Sequence, residues 1–461
     1  MDFQRRWPSF GAMAACILVL AACGGGAAAP STSPGAAAPG TSASAGAAGS
    51  PAASTAQRIG GSVSVIGSWG GSEQDSFMAM VQPFMDQTGV QVQYEGSRDL
   101  NSILSTRVQA GNPPDLAGLP GPGVMRQFGQ SGKLVDLSNI LDLNQMKAEY
   151  APDWLTLGTV NGKLVGIFIK TALKSAVWYD PKNFTQVAGS TPKTWNDLMT
   201  VSNNIAAGGK APWCIGLESA ATSGWPGTDW ISDIMMRSAG PDKYRQWYDG
   251  QLAWTSPEVK DAWQMWGQIV ANPKMVYGGV QYVLTTSFGT AASPMFANPP
   301  GCYMDRQGNF ITDFYTSNNP GVKAGTDFNF FPFPDINSQY GDVDQVAGDL
   351  FGMFKDTPQS RALIKYLVTP QAQAIWVKRG GALSPNKQVP AGDYPDQLSK
   401  ELAQTVVNAK TPLFSAGDMM PDAMQKAFYK AVLSYVQNPA QMDSILAGLD
   451  QTRQSAYPKQ S

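Results

Sequence analysis

The stretch "ESAATSGWPGTDWISDI", residues 218–234, sets two indoles, Trp225 and Trp230, beside the carboxylate of Asp229 where glycine and proline are too frequent for a plain helix. Two readings stand. In one, the aromatic plates exclude water from a ligand while the acid orients it through charge-assisted hydrogen bonds. In the other, Pro226 and Gly227 form a turn, Thr228 or Asp229 caps the helix "WISDIMMRSAG", and both indoles are core. Trp69 poses the same question, because an indole in the glycine-rich turn "GSWGG" has no capping use and is expected to face a ligand.

Bond-making chemistry has little support. The chain contains no histidine, which removes the usual base of serine and cysteine hydrolases and the commonest ligand of zinc and copper. No Walker motif, GxGxxG or GxSxG occurs, and "STPK", Ser190–Lys193, lacks the S-D-N and K-T-G partners that would make its S-x-x-K meaningful. No catalytic residue, cofactor or metal is therefore expected. Glu73, Asp115, Glu218, Asp229 and Asp349 form the pool from which a glycosidase would draw two carboxylates about 5–10 Å apart. A glycoside-acting surface enzyme is the alternative they leave open.

The elements that must carry these residues alternate. "GSVSVIGSW" reads as a strand, Phe77, Met80, Val81 and Phe84 lie at helical spacing before Gly89, and "VQVQYEG" alternates again. A helix through Leu100, Ile103, Leu104 and Val108 and the strand "PPDLAGL" complete a β-α-β-α-β run, which implies a parallel sheet with right-handed crossovers. Ligands gather beyond the carboxyl ends of such strands. That rule nominates Ser68 and Trp69, Ser97 to Asp99, and Pro120 with Gly121. Helix capping is the competing role for Ser72 and Asp99, and Glu73 in a first turn suits the helix dipole. Trp263 and Trp266, at helical spacing in "SPEVKDAWQMWGQIV", are expected in the core.

Length and termini bound the rest. Arg5 and Arg6 precede a short apolar run ending at Leu20-Ala21-Ala22-Cys23, so residues 1–22 read as a secretory signal peptide and Cys23 as a lipidated first residue. Residues 23–58 form a Gly/Ala/Pro/Ser tether, whose 34 residues after Cys23 and through Gln57 separate their ends by roughly 30 Å. Cys214 and Cys302 then remain, and in an oxidising compartment two cysteines suggest one disulfide, with two independent buried thiols as the alternative. The body is long enough for two domains. A net charge of −2 without basic runs argues against nucleic acid.

The motifs "GNPPDLAGLPGPG", "NGKLVGI", "VWYDPKNF", "TPKTWNDL", "GDLFGMFKD", "YLVTPQAQ" and "AVLSYVQNPAQMDSILAGLDQ" occur in an order that resembles the sugar-binding lipoproteins of ABC importers, extracellular solute-binding family one. "PWCIGLES", "GWPGTDWISDIMMRSAG" and "NPPGCYMDRQGNF" resemble its α-glucoside-type members, in which cysteines placed like Cys214 and Cys302 pair. The resemblance implies an α/β, two-lobe periplasmic-binding-protein-like fold of type II, with a ligand cleft between lobes joined by a multi-crossover hinge. It assigns residues 59–170 with 299–346 to lobe 1 and 171–298 with 347–461 to lobe 2. A pyranose offers apolar faces to indoles and a rim of hydroxyls to charged groups. Trp225, Asp229 and Trp230 are thus expected to face the cleft from one lobe and Trp69, Glu73 and Arg98 from the other, with Tyr303, Arg306 and Asp349 as further ligand-binding candidates. The expected partners are an α-linked disaccharide and ABC permease subunits, for a monomer lipid-anchored outside the cytoplasmic membrane. A carbohydrate sensor without transport is a third reading.

Overall fold

A computed structural model describes residues 58–457; the expected signal peptide, the Cys23 lipidation site and the tether up to Gln57 lie outside the described residues. No helix among the described residues is long and apolar enough to cross a membrane. The amino-terminal run folds as its periodicity predicts: β1 (Ser62–Gly67), α1 (Ser72–Thr88), β2 (Gln91–Gly96), α2 (Leu100–Gln109) and β3 (Leu116–Leu119). Phe77, Met80, Val81 and Phe84 form the buried stripe of α1, and β1 pairs in parallel with both β2 and β3. The capping roles are not realised, because α1 starts at Ser72 behind Gly71 and neither Gly71 nor Asp99 makes a side-chain cap bond.

Beside a two-stranded pair at Thr159–Val160 and Lys163–Leu164, two larger sheets take up the remaining strands. Strands β4 (Gly166–Leu173), β5 (Ala176–Tyr179), β6 (Ala211–Trp213), β7 (Cys302–Arg306), β8 (Asn329–Pro332), β9 (Val343–Met353) and β10 (Thr411–Phe414) divide between them. The first sheet runs β10-β9-β3-β1-β2 with β4 also paired to β9, and the second runs β8-β5-β7-β6. Each has its own core: Val63, Phe77, Phe351 and Trp376 are buried at the first, and Trp213, Trp230, Trp263 and Trp266 at the second. The fold is the α/β, two-lobe one expected.

The strand pairing differs from the expected division of the chain. Segment 299–346 is expected with 59–170, yet β7 and β8 hydrogen-bond to β5 of the second sheet. Conversely, β9 and β10 belong to the first sheet although 347–461 is expected with the second. The physical reason is long-range pairing: β9 lies antiparallel to β3 and β4, while β7 is bound to the second sheet by parallel pairing with β6 and by the Cys214–Cys302 disulfide. The chain passes between the sheets at 173–176, between β8 and β9, and beyond β10.

The disulfide joins fully buried cysteines 88 positions apart, so it removes much of the freedom of the unfolded loop. Replacing both by Cys214→Ser and Cys302→Ser should lower unfolding free energy by about 2–4 kcal/mol. The check is a chemical denaturation midpoint, which should fall relative to the unaltered protein; an unchanged midpoint would refute the contribution.

Candidate functional site

Where the ends of β1, β2 and β3 meet the chain crossings, a cavity of about 120 Å3 opens, lined at this edge by Ser68, Trp69, Glu73, Arg98 and Pro120. This is the carboxyl edge that ligands of open sheets occupy. Strand β4 forms another wall. Its alternation sends Lys170 and Ala172 to the cavity, and Lys174 follows in the same phase beyond the strand end. A register shift between Asp349 and Leu350 of β9 leaves Asp349 opposite Lys170, and both line the cavity.

The opposite wall is the start of a helix, α3 (Trp225–Ser238), which begins with Trp225 and Pro226. Its cap, Gly224, has φ +104° and lies so close to the chain that an added Cβ would collide with the Tyr429 carbonyl oxygen. Only glycine satisfies both constraints. The helix then turns Trp225, Thr228 and Asp229 to the cavity and sends Trp230, only 1% exposed, into the second core against Trp213 and Phe333. Neither reading of "GWPGTDW" holds in full: one indole faces the cavity and the other is core. Pro226 and Gly227 sit within the helix rather than in a separate turn, and the Thr228 hydroxyl donates to the Trp225 carbonyl instead of capping.

Of the other candidates, Trp69, Glu73, Arg98 and Asp349 line the cavity, whereas Tyr303 and Arg306 do not. Tyr303 is packed in the second core. Arg306 is buried behind Asp229: its Nη1 is 3.7 Å from Asp229 Oδ2, and its remaining nitrogens bond Asp233 and the Gln345 side chain. It is a support of the wall. Sequence reasoning missed Lys170, Lys174, Phe288, Phe310, Ser415 and Asp418, all of which line the cavity. The two lysines are detectable, since "GIFIKTALKSAVWY" places them in an otherwise apolar buried run, where a charge needs a partner. The phenylalanines carry no such signal.

The charges are paired across the cavity. Lys170 Nζ lies 2.6 Å from Glu73 Oε1 and 3.8 Å from Asp349 Oδ2, and Arg98 Nη2 lies 3.7 Å from Glu73 Oε2. Lys174 Nζ lies 2.7 Å from Asp229 Oδ2, and Asp229 Oδ1 accepts from Gln345 Nε2 at 3.0 Å and Ser415 Oγ at 3.1 Å. Burial alone would raise the Glu73 carboxyl, but the Lys170 and Arg98 charges outweigh it and hold it below the usual range. Asp349 is pushed up to about 6 by burial, with Lys170 opposing and Glu73 adding to the rise. Burial pushes Asp418 up to about 7 against the pull of Lys174. Among the described residues, no group of three or more histidine, cysteine, aspartate or glutamate side chains is arranged to hold a metal ion.

Residues 79–405 match the family described as bacterial extracellular solute-binding protein. This chain belongs to that family. The osmoprotective compounds-binding protein GgtB of Synechocystis sp. is 37% identical over 375 residues, covering 81% of this chain and 88% of its own. The α-glucosides-binding periplasmic protein AglE of Rhizobium meliloti is 33% identical, covering 85% and 86%. Among solved structures, the bacterial solute receptor AcbH superposes with a TM-score of 0.74 at 17% identity, covering 86% of this solute-binding protein and all of AcbH. A chitin oligosaccharide binding protein also gives 0.74 at 18% identity, over 86% of this chain and 98% of its own. The family and these relatives are binding proteins rather than enzymes, and the family's place is extracellular or periplasmic.

The raised Asp418 carboxyl makes stability depend on pH. A carboxyl whose folded pKa lies above its unfolded value binds more protons when folded, so its burial costs nothing below about pH 4 and the full penalty above about pH 7. Asp418→Asn keeps an acceptor for Gln425 Nε2, which donates to Asp418 Oδ1 at 3.2 Å. The variant should melt higher than the unaltered protein at pH 8 and equally at pH 4. Thermal melts at both values check this; a lower melting temperature at pH 8 would contradict it.

Proposed function

We propose that this solute-binding protein captures an α-linked glucoside of the trehalose, maltose or sucrose type outside the cytoplasmic membrane and delivers it to ABC permease subunits. Lipid on Cys23 would hold it to the membrane, and it would act as a monomer. The observation that carries the reading is the cavity wall itself, which brings the rings of Trp225, Phe288 and Phe310, with Trp69 nearly buried behind, together with Glu73, Arg98, Asp229 and Asp349. A sugar ring has apolar C–H faces for the former and hydroxyls for the latter. Charged partners give hydrogen bonds of about 1.5–3 kcal/mol each, so a few of them reach micromolar capture, about −8 kcal/mol, after the cost of ordering. AglE, an α-glucosides-binding protein by name, supports the choice of sugar.

No step in this reading breaks a bond. Of the cavity carboxylates, Glu73 is paired with Lys170 and Arg98 and Asp229 with Lys174, whereas Asp349 and Asp418 are raised by burial. The glycosidase alternative therefore predicts free glucose, and the binding reading predicts recovery of intact disaccharide.

Two substitutions separate cavity from core. Trp225→Ala should weaken binding of the disaccharide at least tenfold by calorimetry while leaving the melting temperature within a few degrees. Trp230→Ala should instead destabilise the fold by about 3–5 kcal/mol, the usual cost of emptying a buried tryptophan site. Disaccharide binding unaffected by Trp225→Ala, or glucose released by the unaltered protein, would overturn the proposal.

A further inference from the structure

Three of the cavity rings, Trp69, Trp225 and Phe310, have a lysine ammonium beside them. Lys174 Nζ sits 4.4 Å from the Trp225 ring centroid and 5.1 Å from that of Phe310, with Asp229 Oδ2 at 2.7 Å. Lys170 Nζ sits 4.7 Å from Trp376, 5.7 Å from Trp69 and 5.8 Å from Phe310, with Glu73 Oε1 at 2.6 Å and Asp349 Oδ2 at 3.8 Å. Each ammonium thus occupies a box of aromatic faces closed by carboxylate, and the two boxes share Phe310. Both lysine side chains are under a tenth exposed, so these are built sites and not surface contacts.

Aromatic faces beside a carboxylate are also what recognises a quaternary ammonium. Empty, either box would be a site for a small organic cation; filled by the protein's own ammonium, it leaves no place for a second one. We propose that Lys174, together with Lys170, is a specificity-determining residue that fills the cation boxes with the protein's own ammonium groups and so excludes cationic solutes from the cavity. The inference rests on the neutral-sugar reading above, and it deepens that reading by naming what the site rejects. Small organic cations and neutral sugars are the two solute classes that the boxes would sort.

The lysine stems reach the boxes from β4 and its extension, where adjacent side chains alternate across the sheet, so both ammonium groups arrive from one backbone segment. Removing the Lys174 ammonium leaves Asp229 with Gln345, Ser415 and the more distant Arg306 as partners. The position over Trp225 and Phe310 that the ammonium leaves, 2.7 Å from Asp229 Oδ2, is what a soluble cation would then take.

The test uses tetramethylammonium chloride against a sodium chloride control of equal ionic strength, read by thermal shift and tryptophan fluorescence. The unaltered protein should show no cation-specific response, and Lys174→Arg should behave like it. Lys174→Ala should gain a saturable response to tetramethylammonium, at least tenfold tighter than any seen in the unaltered protein. The gain should disappear in the double variant Lys174→Ala with Asp229→Asn. Should Lys174→Ala fold poorly, Lys174→Met, which keeps the apolar stem and removes the ammonium, gives the same comparison. A cation response equal in the unaltered protein, or absent from both neutral variants, would overturn the inference. Disaccharide binding by the unaltered protein is measured separately, so a failed sugar test with a positive cation gain rejects only the sugar reading.

Discussion

Asp229 is the carboxylate on which the arrangement turns. It is 3% exposed, and a buried charge persists only if it is paired and its lone pairs are satisfied. Its partners come from each place where the chain passes between the sheets: Lys174 after β4, Gln345 in β9 and Ser415 after β10. The Gln345 backbone N–H donates to Ser175 Oγ, which in turn donates to Asp233 one helical turn beyond Asp229. The junction of the two lobes is therefore one hydrogen-bonded network, and the same aspartate forms part of the cavity wall.

That placement joins recognition to architecture. A solute that touches Asp229 or Lys174 touches groups that also tie the connecting segments together. The opposite wall repeats the chemistry within the first lobe, where Glu73 of α1, Lys170 of β4 and Asp349 of β9 hold one another beneath Trp69. Aromatic surface and paired charge share the cavity wall, which suits a ligand that is itself part apolar face and part hydroxyl rim. Glu73 and Asp229 in this wall face ammonium and guanidinium groups.

Several features are legible in the residues alone. The β-α-β-α-β start, the buried stripe of α1, the core positions of Trp263 and Trp266 and the cavity edge at Ser68, Trp69, Arg98 and Pro120 all follow from periodicity and the rule for open sheets. Trp230, Tyr303 and Arg306 depart from their expected places for a common reason. Residue type marks them as capable of ligand contact, but only the rotation of α3 and the pairing of β7 decide which side faces the cavity. Lys170 of β4 and Lys174 just beyond it escape a search for acids and indoles, although a lysine in a buried apolar run is itself a signal.

Residue type and short-range spacing suffice for the local elements, the family, the absence of histidine-dependent chemistry and the two cysteines available in the body. Those properties depend on patterns within a dozen positions. Contacts between distant segments settle which strands share a sheet, how 299–346 and 347–461 divide between the lobes, which indole of "GWPGTDW" is core, and that Lys170 and Lys174 sit over rings contributed from far along the chain. The physical reason is that pairing energy between strands and the burial of a charge against its partner are set by residues far apart in the chain, which local pattern does not encode.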